Sequence, residues 1–409
     1  MRQRGIKSTV YDQKPAGLTE GDSIVLSPNS LRIFDALGVY PQLVAAGFEV
    51  KTMTMKDDLY RTTKLMKFGD ADRYGYLPVR IKRASIINTL LAALGKDFPI
   101  HHNYRFSRAD EKPCSLHISF SNGVEKSASL LVGADGIRSH VRATAFKDTP
   151  DFIYAGQAGL AWAIPNSKLR YPAEVKHEDS LAAIDGAVMP TPKGMVTFMS
   201  EGKWGSLIHF RISLPLQDRS FEEWKALGSD REALREALRD GLEEMPDLAK
   251  SAIEYALKED VGVFLWPFYV LSNVRSWVSE EGDGRIMLIG DAAHAFPPTG
   301  GNGANMAVED AYGLALLLGG AGGAKDLKQA LNWWEGWRRE RITKVTAETD
   351  RVGKSRLPPK QVAAGIVAET KVAPPTRKRD DLPDMDWLYN WKSEEQLTDW
   401  LKRQGNLEK

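Results

Sequence analysis

The chain has 409 residues, with 55 lysines and arginines against 54 aspartates and glutamates, and a single cysteine, Cys114. That length allows two or three domains with a buried core, the balanced charge argues against a nucleic-acid partner, and one cysteine excludes an internal disulfide. The N-terminus is polar and basic, and the most apolar run, 311–318, is too short to span a bilayer, so the expectation is a soluble, cytoplasmic globular protein without a transmembrane segment.

In chain order, 6–11 reads as a short strand with Asp12 at its end. Leu31, Phe34 and Leu37 recur about one turn apart and predict a helix over 28–37. Strand-like pieces follow at 49–59 and 63–68, then a helix over 83–94, alternating segments at 115–121 and 125–133, and β-rich pieces at 152–164 and 194–213. Helical spacing covers 221–239 and 247–257. The pattern then returns to a buried strand, a glycine loop and a helix at 285–318, followed by a long amphipathic helix over roughly 325–350. Residues 353–383, rich in proline and basic residues, read as a linker or flap, and the final DWLYNWKSEEQLTDWL spaces its tryptophans for packing onto a surface. The order α/β, β-rich, α/β predicts a nucleotide-binding domain (1–150 and 281–350) interrupted by a β-rich substrate domain (151–280), with a linker and helical tail at 351–409.

The strongest motif is RIMLIGDAAHAFPPTGGNGANMAVEDA, beginning at Arg285. A short apolar strand leaves Asp291 at its carboxyl end, where α/β folds bind ligands and a carboxylate can accept hydrogen bonds from hydroxyls. Pro297 and Pro298 stiffen the turn, while Gly300, Gly301 and Gly303 let backbone approach a flat ligand. The helix that follows presents unpaired N–H groups near Gly303 to Asn305, a site that favours negative charge. This stretch resembles the second FAD-binding motif of the flavoprotein aromatic hydroxylases, the para-hydroxybenzoate and salicylate hydroxylase family. The resemblance implies that Asp291 contacts the ribityl chain, that Ala304 and Asn305 meet the pyrimidine edge, and that Pro298 lies against the flavin ring.

Three further stretches are similar to the same family. LLVGADGIRSHVR (130–142) resembles its DG motif, which implies that Asp135 and the nearby Arg138 and Arg142 serve the FAD pyrophosphate and NAD(P)H use. Arg83, opening RASIINTL, matches the arginine that reaches FAD. Asp12 and EGDSIVLSPNSLRIFDALGV match the ribose-binding acid of strand two and the segment after it, with Ser23 where a glycine or alanine is usual. Such an acid follows a glycine-rich phosphate loop by about twenty residues. The expected fold is therefore a Rossmann-like α/β domain lacking its first strand and G-x-G-x-x-G loop. On that reading, a version extended upstream is active and this one is impaired.

The implied chemistry uses NAD(P)H, FAD and O2 to hydroxylate a phenolic small molecule through a flavin C4a-hydroperoxide; no metal is expected. In SLIHFRIS, alternation puts His209 and Arg211 on one face, and these two with Tyr269 are the candidate catalytic residues. His294, inside the flavin loop, reads as structural. At Ala161, in GLAWAIP, some salicylate-type members carry an arginine, and the same stretch partly resembles a halogenase signature with Leu160 replacing its first tryptophan. The alternative readings are a related flavoprotein epoxidase or oxidase of secondary metabolism, or a truncated remnant without activity.

Overall fold

Leu131–Gly133 and Ile286–Leu288, both short and apolar, pair in parallel, as do Val10–Asp12 and Ile100–His102. These two parallel pairs form the dinucleotide-type half of a computed structural model that describes residues 1–17, 21–67, 69–175, 185–201, 205–320, 327–355 and 385–403. A meander of Phe106–Lys112, Ser115–Phe120 and Glu125–Ala128 packs beside them, as helices 303–320 and 327–355 do; all share one apolar core that includes Leu116, Ile286, Leu288, Met306, Leu317 and Trp334. A small antiparallel sheet, Ser23–Leu26, Val79–Lys82 and Phe48–Glu49, buries its own cluster against helices Pro28–Ala36 and Tyr40–Ala46.

The largest sheet has seven strands in the order Phe264–Val270, Ile153–Pro165, Leu207–Pro215, Met195–Glu201, Gly186–Pro190, Thr52–Lys56 and Thr62–Lys67. Two of its strands thus come from 52–67, inside the first α/β stretch. One face is apolar by alternation: Leu160, Trp162, Ile164, Ile208, Phe210 and Ile212 pack against helix Asp247–Lys258 through Leu248, Ala252 and Ile253. The opposite face turns toward the dinucleotide-type half, where Val25, Phe48 and Val50 meet Met53, Val188 and Met199.

Most elements lie where the residue pattern puts them, with boundaries moved by partners and caps. Helix Arg83–Leu94 falls as expected. The first strand is Val10–Asp12 rather than 6–11, because its ladder runs only where Ile100–His102 can pair with it. The alternating 125–133 divides into two strands of different sheets. The helical 221–239 breaks at Asp230, whose carboxylate accepts from the N–H groups of Glu232 and Ala233 and so starts a second helix. The long helix runs on to Ser355, and the rest of the proposed linker lies outside the described residues. In the tail, Asp386–Tyr389 and Ser393–Arg403 dock through Trp400 stacked on Trp333 at 4.4 Å.

A buried ionic network holds these parts together. Helix 303–320 carries Glu309 and Asp310, both fully buried. Arg338 donates to Asp310 at 2.7 Å and Glu309 at 2.8 Å, and Arg341 donates to Glu309 at 2.7 Å. Glu309 also accepts from Asn29 at 2.6 Å, and Arg341 reaches the carbonyl of Leu388 in the tail. Asp310 accepts from Gly290 N–H at 2.9 Å and pairs with His294 at 2.7 Å. Two guanidiniums face two carboxylates, and each carboxylate oxygen accepts at least one hydrogen bond. Burial alone would raise both acids; for Asp310 the His294 and Arg338 contacts, and for Glu309 those of Arg341 and Arg338, reverse this and hold each below its ordinary range.

Removing one member should therefore expose an uncompensated buried charge. Arg338→Met is expected to cost about 3–5 kcal/mol of stability, read as a lower urea midpoint. Because both acids have depressed folded-state pKa values, their contribution is fully present above the unfolded carboxylate value of about 4 and is lost as pH falls below it. Urea midpoints of the wild type should be level from neutral pH to about 5 and drop below 4, with a shallower drop in Asp310→Asn.

Candidate active site

Where Ile286–Leu288 ends, the chain turns through Gly290 at φ 59°, a left-handed conformation that favours glycine; a Cβ there would also sit 3.1 Å from that of Ala307. Asp291 follows and opens onto a crevice walled by protein, 3.8 Å from where a Cβ on Gly303 would lie. Burial raises the pKa of its carboxyl, with Asp310 adding to that and the charges of His294 and Arg83 opposing it. Pro298–Gly300 forms one 3-10 turn, Gly301 at φ 65° reverses the chain, and helix 303–320 starts with Gly303 and Ala304 at its mouth. Asn305 is spent structurally: its side chain accepts from Ser27 N–H at 3.0 Å and Ser30 Oγ at 2.5 Å, and donates to the carbonyls of Val25 and Gly301. Only its backbone is left to face a ligand. His294 is likewise a buried structural group, bonded to Asp310 and packed between Trp277 and Phe296.

The DG motif is also explained by local structure. Asp135 accepts from Ser139 Oγ, His140 N–H and Val141 N–H, so its carboxylate caps helix His140–Ala145. Arg142 is buried and donates to the carbonyls of Ala292 and Ile137, locking this motif to the glycine loop. Arg138 lies over the rings of Phe152, Phe221 and Tyr269. The cluster buttresses the crevice rather than offering two free guanidiniums to a diphosphate. Asp12 heads the other parallel pair, where its Oδ1 accepts from Lys14 N–H at 2.9 Å.

Across the crevice, His209 and Arg211 share the large-sheet face that meets the dinucleotide-type half, as alternation predicts, and His209 is only 8% exposed. The His209 ring donates through Nε2 to Asp22 Oδ2 at 2.6 Å. Asp22 immediately precedes Ser23, and its carbonyl accepts from Arg83 N–H at 3.4 Å. Burial would raise the Asp22 carboxyl, but the hydrogen bond and charge of His209, the Ser23 N–H and Arg80 leave it below its usual range. Arg211 is lowered by desolvation, with Asp22 opposing and buried Arg80 adding to that shift. Asp291, Arg83, Asp22, His209 and Arg211 are thus linked by charge and hydrogen bonds from the glycine loop to the sheet.

The third catalytic candidate is not part of this site. Tyr269 pairs with Tyr154 and His209 with Ala163, nine residues apart along Ile153–Pro165, roughly 30 Å at about 3.3 Å per residue. Its hydroxyl bonds Asp218 at 3.1 Å instead. Antiparallel register, which local spacing does not reveal, puts Tyr269 at the far end of the sheet. Conversely, residues that motif reading passed over belong to the site. Phe264 and Trp266, 40% and 45% exposed, occupy the edge strand on the His209 face, Phe264 opposite Ala161, which in turn pairs with Arg211. Asp22 and Arg80 carried only the faint signal of charges beside apolar strands.

Comparison with known proteins agrees with this geometry. A family model described as an FAD binding domain matches residues 270–349, which contain the glycine loop. A 3-amino-4-hydroxybenzoate 2-monooxygenase of Streptomyces platensis is 29% identical over 95% of this chain and 91% of its own. A salicylate hydroxylase of Pseudomonas putida is 25% identical over 99% of this chain and 91% of its own. The crystal structure of a Klebsiella pneumoniae protein complexed with FAD and uric acid shares the fold, with a TM-score of 0.72 and 21% identity over 89% of this chain and 86% of that one. Over nearly its whole length the chain is similar to FAD-dependent aromatic hydroxylases.

The residues fit the cofactor. The carboxylate of Asp291 opens onto the crevice beside side-chain-free backbone at Gly301 and Gly303, a cradle that a Cβ on Gly303 would narrow. A carboxylate kept partly desolvated for a ligand costs stability while the ligand is absent: its raised folded-state pKa means that the ionised form at neutral pH is disfavoured by folding. Asp291→Asn should therefore leave the melting temperature of the FAD-free hydroxylase equal or higher, while weakening FAD binding about 10- to 100-fold, the loss of one charge-assisted hydrogen bond. Differential scanning fluorimetry and flavin-fluorescence titration measure the two effects separately.

Proposed function

We propose that this hydroxylase uses NAD(P)H and O2 to hydroxylate a phenolic small molecule that binds as an anion between the glycine loop and the large sheet. The observation that carries this reading is the chain of contacts that joins His209 and Arg211 on the sheet to Asp22, Arg83 and Asp291 on the cofactor-type half. Bound FAD supplies the redox chemistry, accepting a hydride from NAD(P)H and activating oxygen for transfer of one atom to the ring. Asp12, Ser23, Arg83, Asp291, Pro298, Gly301, Gly303 and the backbone at Ala304 and Asn305 would hold it.

The chain's own groups prepare the substrate. His209 takes the phenol proton: the aryl O–H bond breaks, an imidazole N–H forms, and the oxygen's electron pair enriches the ring for attack on the activated oxygen. Arg211, desolvated and close to a second guanidinium, Arg80, holds the resulting anion. Phe264 and Trp266, exposed on the same sheet face, offer an aromatic wall for that ring. In this division of labour the cofactor belongs to 1–150 and 281–350, and the substrate to 151–280 with the strands from 52–67.

The FAD-loaded protein should oxidise NADPH or NADH faster when phenolic carboxylates are added, consume O2 in step, and yield a product heavier by one oxygen atom. His209→Gln should lower kcat about 100-fold or more, whereas Arg211→Met should raise KM about 10-fold or more. A panel in which no phenol stimulates oxygen-dependent oxidation would overturn the reading.

A further inference from the structure

We propose that Asp22 is a positioning residue for His209, a carboxylate lent by the cofactor-binding half to the base on the substrate sheet. This rests on the reading of His209 as the base. The contact joins the segment leading into Ser23–Leu26 to the strand Leu207–Pro215, so the pair exists only when the two halves are seated together. Both partners are largely withdrawn from water, with side-chain exposures of 10% for His209 and 29% for Asp22.

Two physical needs point to this role. A histidine ring has two faces and two tautomers, and a single strong acceptor on Nε2 selects one of each. Asp22 is itself held in place, since its carbonyl accepts from Arg83 N–H beside the cofactor crevice. The second need is electrostatic. Among the described residues, the charged groups facing the pair include Arg211, two residues along the same strand face, and Arg80 on the neighbouring strand Val79–Lys82, close to both Asp22 and Arg211. An imidazolium formed beside two guanidiniums would be disfavoured by like-charge repulsion. Asp22 is the anion that offsets them and lets the ring accept a proton. Apart from the proton moving from the substrate hydroxyl to the ring, no bond changes, and Asp22 stays ionised throughout.

A latch between the two halves would use the same hydrogen bond, so the test must read proton affinity. FAD-loaded protein labelled with 15N-histidine is compared as wild type, Asp22→Asn, Asp22→Glu and His209→Gln, with kcat and KM for a stimulating phenol followed against pH and the His209 resonance assigned from His209→Gln. The expected result for Asp22→Asn is a fall in kcat of about 10-fold or more with KM within about threefold, and an acid limb of the kcat profile moved to lower pH, because loss of the carboxylate lowers the ring's pKa. The His209 titration should move in the same direction, and Asp22→Glu should recover most of the rate. An unmoved acid limb and an unmoved His209 titration in folded Asp22→Asn overturn the proposal and leave Asp22 as a latch. If Asp22→Asn does not fold, the wild-type titration decides: a His209 pKa above the ordinary imidazole value of about 6.5 supports the proposal, and one at or below it overturns it. If His209→Gln keeps the wild-type rate, it is the reading of His209 as base that fails, whatever Asp22 does.

Discussion

Two guanidiniums and two carboxylates, buried together between helices 303–320 and 327–355, set the geometry on which the site depends. Glu309 and Asp310 are adjacent in sequence and point their charges at separate duties. Asp310 grips the Gly290 N–H and His294, so it fixes the turn that presents Asp291; Glu309 takes Asn29 and Arg341, so it fixes the first helix and, through Arg341, the C-terminal segment. A buried ion cluster contributes little net stability compared with apolar packing, because its Coulomb attraction is offset by desolvation. What it does provide is an arrangement with one low-energy solution: shifting either helix by a residue would strand a charge away from water. That constraint explains why a loop of glycines and prolines, permissive by composition, holds one shape.

The crevice lies between two structures of different character. On one side, the glycine loop offers backbone, one carboxylate and a helix terminus. On the other, a sheet face offers His209 and Arg211, flanked by exposed aromatics. Asp22, Arg80 and Arg83 sit at the seam, and their charges couple the sides: Arg83 opposes the raised pKa of Asp291, while Arg80 and Asp22 both act on Arg211. The glycine loop and the sheet face therefore share one electrostatic environment. A flavin hydroxylase needs this, because the ring to be oxidised and the flavin that activates oxygen must meet in one dry space.

Function here is placed where folding is least satisfied. Asp291 keeps a carboxylate in a partly desolvated wall, and Arg80 and Arg211 bring two cations close with one acid between them. By contrast, Asp135, Arg142, Asn305 and His294 are motif residues whose polar groups serve the protein itself. Motif membership does not separate these two kinds of residue; what each side chain bonds does.

Much was legible from residue order alone. The strand, GD turn, glycine loop and helix of 286–320 are local, since apolar runs, φ-permissive glycines and helix spacing act within a few residues, and the family motifs are built from them. Alternation also placed His209 and Arg211 on one face, because side-chain direction in a strand follows the two-residue repeat. Register and partner choice were not legible. That Tyr269 stands at the far end of the sheet, that strands from 52–67 join it, and that Asp22 meets His209 depend on pairings between segments distant in sequence. The acid pair at 309–310, interrupting an otherwise apolar helix, was a visible signal of a buried ionic partner, but not of which arginines would supply it. Local chemistry determined the glycine-loop motif; only tertiary packing, which brings far segments within hydrogen-bond reach, decided which side chains meet His209 and Arg211.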